Sequence, residues 1–182
     1  MSSSPATCPF DRAESVGPEP AASGTSSKAV LPGRGGTPIY YHSYLQLDKV
    51  LSAQTPMSGV AGINGGAGAH DEHLFIVIHQ TYELWFKQIL HELSDVVRIF
   101  SQASVAESQM GTVIHRLRRV TEIQRVLVDQ LTILETMTPL DFLEFRDYLF
   151  PASGFQSVQF RKIENMLGLD PSRRMMYRGK NY

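Results

Sequence analysis

His70-Asp71-Glu72-His73-Leu74-Phe75-Ile76-Val77-Ile78-His79-Gln80-Thr81-Tyr82-Glu83-Leu84-Trp85-Phe86-Lys87 is the stretch that decides the fold. No Gly or Pro interrupts it, and Asp71 and Glu72 stand where the positive end of a helix dipole favours acidic groups. The row Leu74, Ile78, Trp85, Ile89, Leu93, Val96, Phe100 keeps helical spacing, which predicts one helix from His70 to about Phe100. A second row, Phe75, His79, Tyr82, Phe86, lies on another face, because residues three and four apart share a side. A helix apolar on more than one side is buried on more than one side, so His79 is expected in a dry, aromatic setting and Trp85 in the core. A buried imidazole needs a partner. Either His79 is a core histidine bonded to a carbonyl or carboxylate, or it lines an aromatic cavity as a site residue.

Downstream of a polar break at residues 101–108, a second long helix is expected over about Met110 to Glu135. Its row Val113, Leu117, Val120, Ile123, Leu127, Gln130 or Leu131, Leu134 faces the core, with Arg116, Arg119 and Glu122 outward. Thr138 is an N-cap candidate, with Pro139 at the first helical position and Asp141 two residues on, for a third helix over Pro139 to Leu149. Pro151-Ala152-Ser153-Gly154 stops it in a tight turn that exposes backbone N–H groups. A fourth helix over about Gln156 to Leu167 closes at Gly168.

Upstream, Thr55 to Ala69 reads as a flexible Gly-rich linker. Before it, Tyr40, Tyr41, Tyr44, Leu45, Leu47, Val50 and Leu51 give a short amphipathic helix, Ser43 to Ala53, too small to stand alone. It must dock on the main body or on another copy of the chain. Residues 1–37 are rich in Ser, Pro, Gly and Ala and are expected to be disordered. The domain expectation is therefore a lead segment 1–37, a helical domain 38–170 and a basic tail 171–182. With no strand signal, the class is all-α, antiparallel helices packed as a bundle.

Composition removes several functions. A formal charge of −1 over 182 residues argues against a nucleic-acid surface. Cys8 is the single cysteine, so there is no internal disulfide or thiolate cluster, as suits a reducing compartment. No apolar run reaches membrane-spanning length and no signal-peptide layout opens the chain, so the expected location is the cytoplasm. From Arg161 to Tyr182 six basic residues face Glu164 and Asp170, which reads as a solvated helix end and tail.

Metal motifs fail on spacing. His91-Glu92 is followed by Asp95 where a zinc-protease helix needs a second histidine, and no histidine has Glu three residues before it as a di-iron bundle requires. There is neither a phosphate-cradling loop nor a nucleophile elbow. One constellation remains: His79 and Phe75 on an aromatic cleft, Arg146 among apolar neighbours, and Tyr41 and Tyr44 on a movable helix. Arginine grips carboxylates in bidentate fashion, so an apolar slot with one Arg and one His suits a small aromatic acid. The other reading of Arg146 is a salt bridge to Glu144, Asp147 or Glu83.

Four blocks then carry a likeness: Tyr41-x-x-Tyr44-Leu45-x-Leu47-Asp48; His70 to Lys87; Leu134-Glu135-Thr136-Met137-Thr138-Pro139-Leu140-Asp141-Phe142-x-x-Phe145-Arg146; and Pro151-Ala152-Ser153-Gly154-Phe155-Gln156-Ser157-x-Gln159-Phe160-Arg161. In this order they strongly resemble the tryptophan 2,3-dioxygenase family, over Tyr40 to about Gly168. The resemblance implies an α-helical, homotetrameric, haem-dependent dioxygenase acting on L-tryptophan and O2 to give N-formyl-L-kynurenine. It implies His79 as the distal histidine against the indole N–H, Phe75 as pocket wall and Arg146 as carboxylate clamp. Tyr41 and Tyr44 resemble pocket residues supplied by a neighbouring subunit, Ser153-Gly154 the loop over the haem edge, and Arg161 a propionate contact. The family's proximal haem histidine belongs to a C-terminal half that this 182-residue chain does not contain, so the expected bundle is truncated and no metal ligand is assigned within it. Two expectations follow: a piece of the haem enzyme, or a catalytically inactive short form that binds full-length subunits as a regulatory module.

Overall fold

A computed structural model of the chain describes residues 39–174. The expected disordered segment 1–37 and the tail beyond Arg174 lie outside the described residues. The chain falls into two units, Met1–Tyr41 and His42–Tyr182. In order along the chain come α1 (Tyr41–Leu45), α2 (Leu47–Leu51), α3 (Met57–Val60), α4 (His70–Phe100), α5 (Glu107–Asp129), α6 (Leu131–Leu134), α7 (Pro139–Leu143) and α8 (Val158–Met166). Single turns of 3₁₀ helix lie at Ile63–Gly66, Arg146–Leu149, Gly154–Gln156 and Pro171–Arg173. No strand occurs among the described residues, and the all-α expectation holds.

The second unit is built on α4, whose bounds are those the periodicity predicts. Ile89 and Leu93 bury against Val120, Ile123 and Leu127 of α5 and Ile163 of α8, while Val96 and Ile99 bury against Val113. Each such side chain contributes about 1.5–3 kcal/mol by leaving water. The pairing is antiparallel and keeps one register along both helices. Arg116 faces Asp95 and Arg119 faces Glu92. Further along, the Tyr82 hydroxyl donates to the Leu127 carbonyl at 2.5 Å and Gln130 Nε2 donates to Thr81 Oγ1 at 2.5 Å. From α8, Gln159 Nε2 donates to both the carbonyl (2.8 Å) and the carboxylate (2.7 Å) of Glu83.

Several local expectations are corrected. Arg116 and Arg119 turn inward, not outward, because Glu92 sits on the apolar stripe of α4 and is only 1 % exposed. Arg119 Nη1 donates to Glu92 Oε1 at 2.7 Å, Gln88 Nε2 donates to the same oxygen at 2.7 Å, and Arg116 Nε lies 3.3 Å from Oε2. A buried carboxylate requires such counter-charges. Trp85 is not core but 38 % exposed. The Gly-rich linker is anchored: buried Glu72 accepts from Met57 N (2.7 Å), Ser58 N (2.9 Å) and the Ser58 hydroxyl, and Ser58 Oγ accepts from Ala69 N (2.8 Å). Gly68 there has φ +78°, and a Cβ would fall 2.9 Å from Gly59 N. The tyrosine helix is split into α1 and α2 at Gln46, which has φ 52°.

The later helices are shorter than expected. The second ends at Asp129, with α6 continuing it. Thr138 caps α7 as expected: its N–H donates to Asp141 Oδ2 (2.9 Å) and its hydroxyl accepts from Asp141 N (3.3 Å). That helix stops at Leu143, because Phe145 (φ −124°) turns its ring into the interior and the chain resumes as 3₁₀ at Arg146. Gly168 follows α8 with φ +76°, the left-handed C′ position expected of it.

Candidate active site

Helix α4 presents His79 one turn after Phe75, and the two rings lie 4.1 Å apart between centroids. His79 Nδ1 is 2.7 Å from the Phe75 carbonyl oxygen. A carbonyl can only accept, so Nδ1 carries the proton, and in the neutral ring Nε2 is left as a lone-pair acceptor. His79 is exposed, contrary to the dry setting expected, because this flank of α4 borders open cavities. It makes the carbonyl bond expected of a core histidine while bordering open cavities.

Phe75 is the hub of an aromatic trio. Its ring lies 5.7 Å from Phe142 and 5.5 Å from Phe145, which meet each other edge-on at 5.4 Å. Phe145 is fully buried. The next residue, Arg146, is exposed, and its side chain makes no hydrogen bond or ion pair among the described residues. The expected alternative bridges to Glu144, Asp147 or Glu83 are therefore not formed, and Glu83 is held by Gln159 instead. Ring contacts thus join the segment carrying His79 to the segment carrying Arg146.

Two cavities meet at His79. One, of about 700 Å³, lies between α4, α5 and α8 and is bordered by Tyr82, Phe86, Leu127, Gly154 and Phe160. The other, of about 800 Å³, lies under α2 and is bordered by Val50, Leu51, Val77 and Leu84. A pair of amides fastens that roof beside His79: Gln54 Nε2 donates to Gln80 Oε1 (2.7 Å) and Gln80 Nε2 donates to the Ala53 carbonyl (2.8 Å). Burial raises the Tyr82 phenol above its usual range, so it remains a protonated donor.

Tyr44 is exposed and borders neither cavity; Tyr41, in the first unit, is exposed as well. The turn at residues 151–154 spends N–H groups internally: Ala152 N donates to Leu149 O (2.7 Å), Ser153 N to Gln156 Oε1 (3.1 Å) and Phe155 N to Ser153 Oγ (3.3 Å). Of the N–H groups expected to be exposed there, those of Ala152 and Ser153 are engaged instead. Phe142 and Phe145 were expected to face inward and Tyr82 to lie on the aromatic row, but neither Phe145 nor Tyr82 was given a part at the site, and the Gln54–Gln80 clasp was missed.

The family model for tryptophan 2,3-dioxygenase matches residues 26–182. The chain belongs to the tryptophan 2,3-dioxygenase family. It is 55 % identical over 144 residues to the tryptophan 2,3-dioxygenase of Dictyostelium discoideum, covering 79 % of this chain and 35 % of that protein. It is 56 % identical over 132 residues to that of Alteromonas mediterranea, covering 72 % of this chain and 35 % of the relative. Against that of Mus musculus the values are 53 % over 150 residues, 82 % and 36 %. The chain spans about a third of the length of these curated tryptophan 2,3-dioxygenases.

Family membership makes haem the group to test against this site. The 700 Å³ cavity is of ligand-pocket size and apolar walls dominate it. At Gly154, on its border, a Cβ would meet nothing within 4 Å, so bare backbone faces the space. Arg161 stands 5.0 Å over the ring of Phe160, another border residue, and is paired with Glu164 at 2.7 Å. Its Nε is nonetheless buried without a hydrogen-bond partner, an orphaned donor that a carboxylate would satisfy. These residues fit a flat apolar group with anionic arms. His79 is the one histidine bordering this cavity among the described residues, and no group of three or more His, Cys, Asp or Glu there could hold a metal ion by itself.

Proposed function

We propose that this chain carries the substrate-facing helices of a haem dioxygenase that converts L-tryptophan and O2 to N-formyl-L-kynurenine, the opening step of the kynurenine pathway. The observation that carries the reading is a free acceptor nitrogen on His79, beside the Phe75 ring, with an unpaired Arg146 tethered to that same ring through Phe145. Bound b-type haem supplies the iron that binds and activates dioxygen. His79 Nε2 accepts the indole N–H and so fixes which edge of the ring is presented. Phe75 forms the flat wall, and Arg146 clamps the carboxylate in bidentate fashion. Ser153, Gly154 and Arg161 would hold the bound haem, Arg161 by pairing with one of its carboxylates. Tyr41 and Tyr44 close the pocket of a neighbouring subunit in a homotetramer. The C2–C3 bond of the indole breaks, one oxygen becoming the formyl oxygen at C2 and the other the ketone at C3. Both atoms of O2 enter the product, so no external reductant is consumed. The proposal includes a cytoplasmic location, and neither a membrane nor a nucleic acid is a proposed partner.

A second reading has its own support. Val128, Leu131 and Val158 are 66 %, 46 % and 64 % exposed, apolar area that favours docking on further protein. A regulatory module associating with full-length subunits would use such faces without catalysis. Expression of residues 1–182 with haemin, followed by visible spectra before and after reduction and by oxygen uptake on adding L-tryptophan, separates the two. A haem spectrum with tryptophan-dependent uptake supports the enzyme; no haem band, with co-purification of a full-length subunit, supports the module.

A further inference from the structure

Arg146 has nothing of its own to hold it. Its side chain is exposed and unpaired among the described residues, and it begins the 3₁₀ turn Arg146–Leu149 directly after α7 ends. What fixes its position is the residue before it. Phe145 is 0 % exposed, the largest fully buried side chain described. Its ring meets Phe75 at 5.5 Å with planes inclined 62°, and Phe142 at 5.4 Å with planes at 89°. Its carbonyl accepts from Tyr148 N at 3.0 Å, which sets the turn that displays Arg146.

We propose that Phe145 is a specificity-determining positioning residue, coupling the Phe75 ring wall to the Arg146 guanidinium so that an aromatic ring and a carboxylate are recognised together. The inference rests on the tryptophan reading above. A long arginine side chain loses much freedom when it grips a ligand, and the grip is productive only if its backbone origin is registered to the ring-binding surface. The edge-on contact of Phe145 with Phe75 supplies that register. Without it the guanidinium is still present but no longer held at the distance that separates an amino acid's ring from its acid group. The consequence is a selective one: ligands bearing the carboxylate suffer, and ligands lacking it do not.

The test is calorimetric titration of the haemin-loaded 182-residue chain with L-tryptophan and with tryptamine, which lacks the carboxylate. Arg146→Ala is expected to weaken L-tryptophan by about tenfold or more and to leave tryptamine within about twofold, as loss of a charge-assisted contact requires. Phe145→Leu is expected to do the same, with unchanged helical content by circular dichroism. Phe145→Met, which keeps volume but has no ring face, serves if the leucine variant does not fold. The double variant Phe145→Leu/Arg146→Ala is expected to be no worse than Arg146→Ala alone, because the two act through one contact. Equal loss for both ligands in Phe145→Leu, or full additivity in the double variant, overturns the coupling. An effect of Arg146→Ala with none of Phe145→Leu or Phe145→Met overturns it and leaves the tryptophan reading standing. No effect of Arg146→Ala, or no binding by the unmodified chain, overturns the tryptophan reading and the coupling with it.

Discussion

Replacing Glu92 by alanine removes the one carboxylate buried in the α4–α5 seam. It is 1 % exposed and holds Arg119 and Gln88 at 2.7 Å each, with Arg116 at 3.3 Å. Breaking a buried ion pair from one side costs about 3–5 kcal/mol. The two guanidiniums are 32 % and 41 % exposed and recover some hydration, which places the expected loss at the lower end, about 3 kcal/mol. For a chain of this size that lowers Tm by roughly 6–12 °C. Glu122→Ala is the control: Glu122 pairs with Arg125 at 2.5 Å, but both are about two-thirds exposed, and such pairs contribute less than about 1 kcal/mol. The pH dependence has a definite sign. Burial acts to raise the Glu92 carboxyl, but the hydrogen bonds from Arg119 and Gln88 and the charges of both arginines outweigh it and hold the carboxyl below its ordinary range. Stability from this group is therefore present above the ordinary glutamate range and lost as pH falls through the depressed folded value. Urea unfolding followed by circular dichroism, with the midpoint compared at neutral and acid pH, reads both effects. A midpoint shift for Glu92→Ala no larger than that for Glu122→Ala would refute the buried-network account.

Other outcomes follow from single contacts. Thr138→Ala removes the N-cap of α7 and is expected to cost about 1 kcal/mol in urea unfolding. Asp141 is held low by its hydrogen bonds from the Thr138 side chain and backbone, so a midpoint that falls on acidification in the unmodified chain should fall less in this variant. Gln54→Ala opens the clasp to Gln80 and should speed tryptic cleavage after Lys49, while cleavage after residues within α4 stays slow. Equal cleavage rates at Lys49 would show that the clasp does not hold α2.

The long apolar rows were enough to read α4 and the antiparallel class, because a helix buried on two flanks writes its period into many residues. Thr138 and Gly168 were legible for a local reason: a cap and a left-handed turn depend on the residue itself and its immediate neighbours. Glu92, Arg116 and Arg119 were not, since polar residues on a helix read as outward unless the partner across the seam is known. Glu72 and Ser58 failed in the same way, and with them the ordered state of the Gly-rich segment. His79, Phe75 and Arg146 were singled out from residue type and family likeness, and their roles at the site are proposals; of the three, His79 borders the two cavities. The contact of Phe145 with Phe75 was hidden, because an aromatic residue in a helix pattern looks like any other core position. Gln46 breaks the tyrosine helix through a positive φ that a glutamine does not advertise.

In the proposed reaction, Nε2 of His79 receives the indole N–H of L-tryptophan while Nδ1 donates to the Phe75 carbonyl. The most direct measurement is the affinity ratio between L-tryptophan and 1-methyl-L-tryptophan, which has no ring N–H, in the haemin-loaded chain and in its His79→Ala variant. The expected result is a preference for L-tryptophan of about tenfold or more, as for a lost hydrogen bond beside an unsatisfied partner, that disappears in His79→Ala. Equal affinities in the unmodified chain, or a preference that survives the loss of the imidazole, would contradict it.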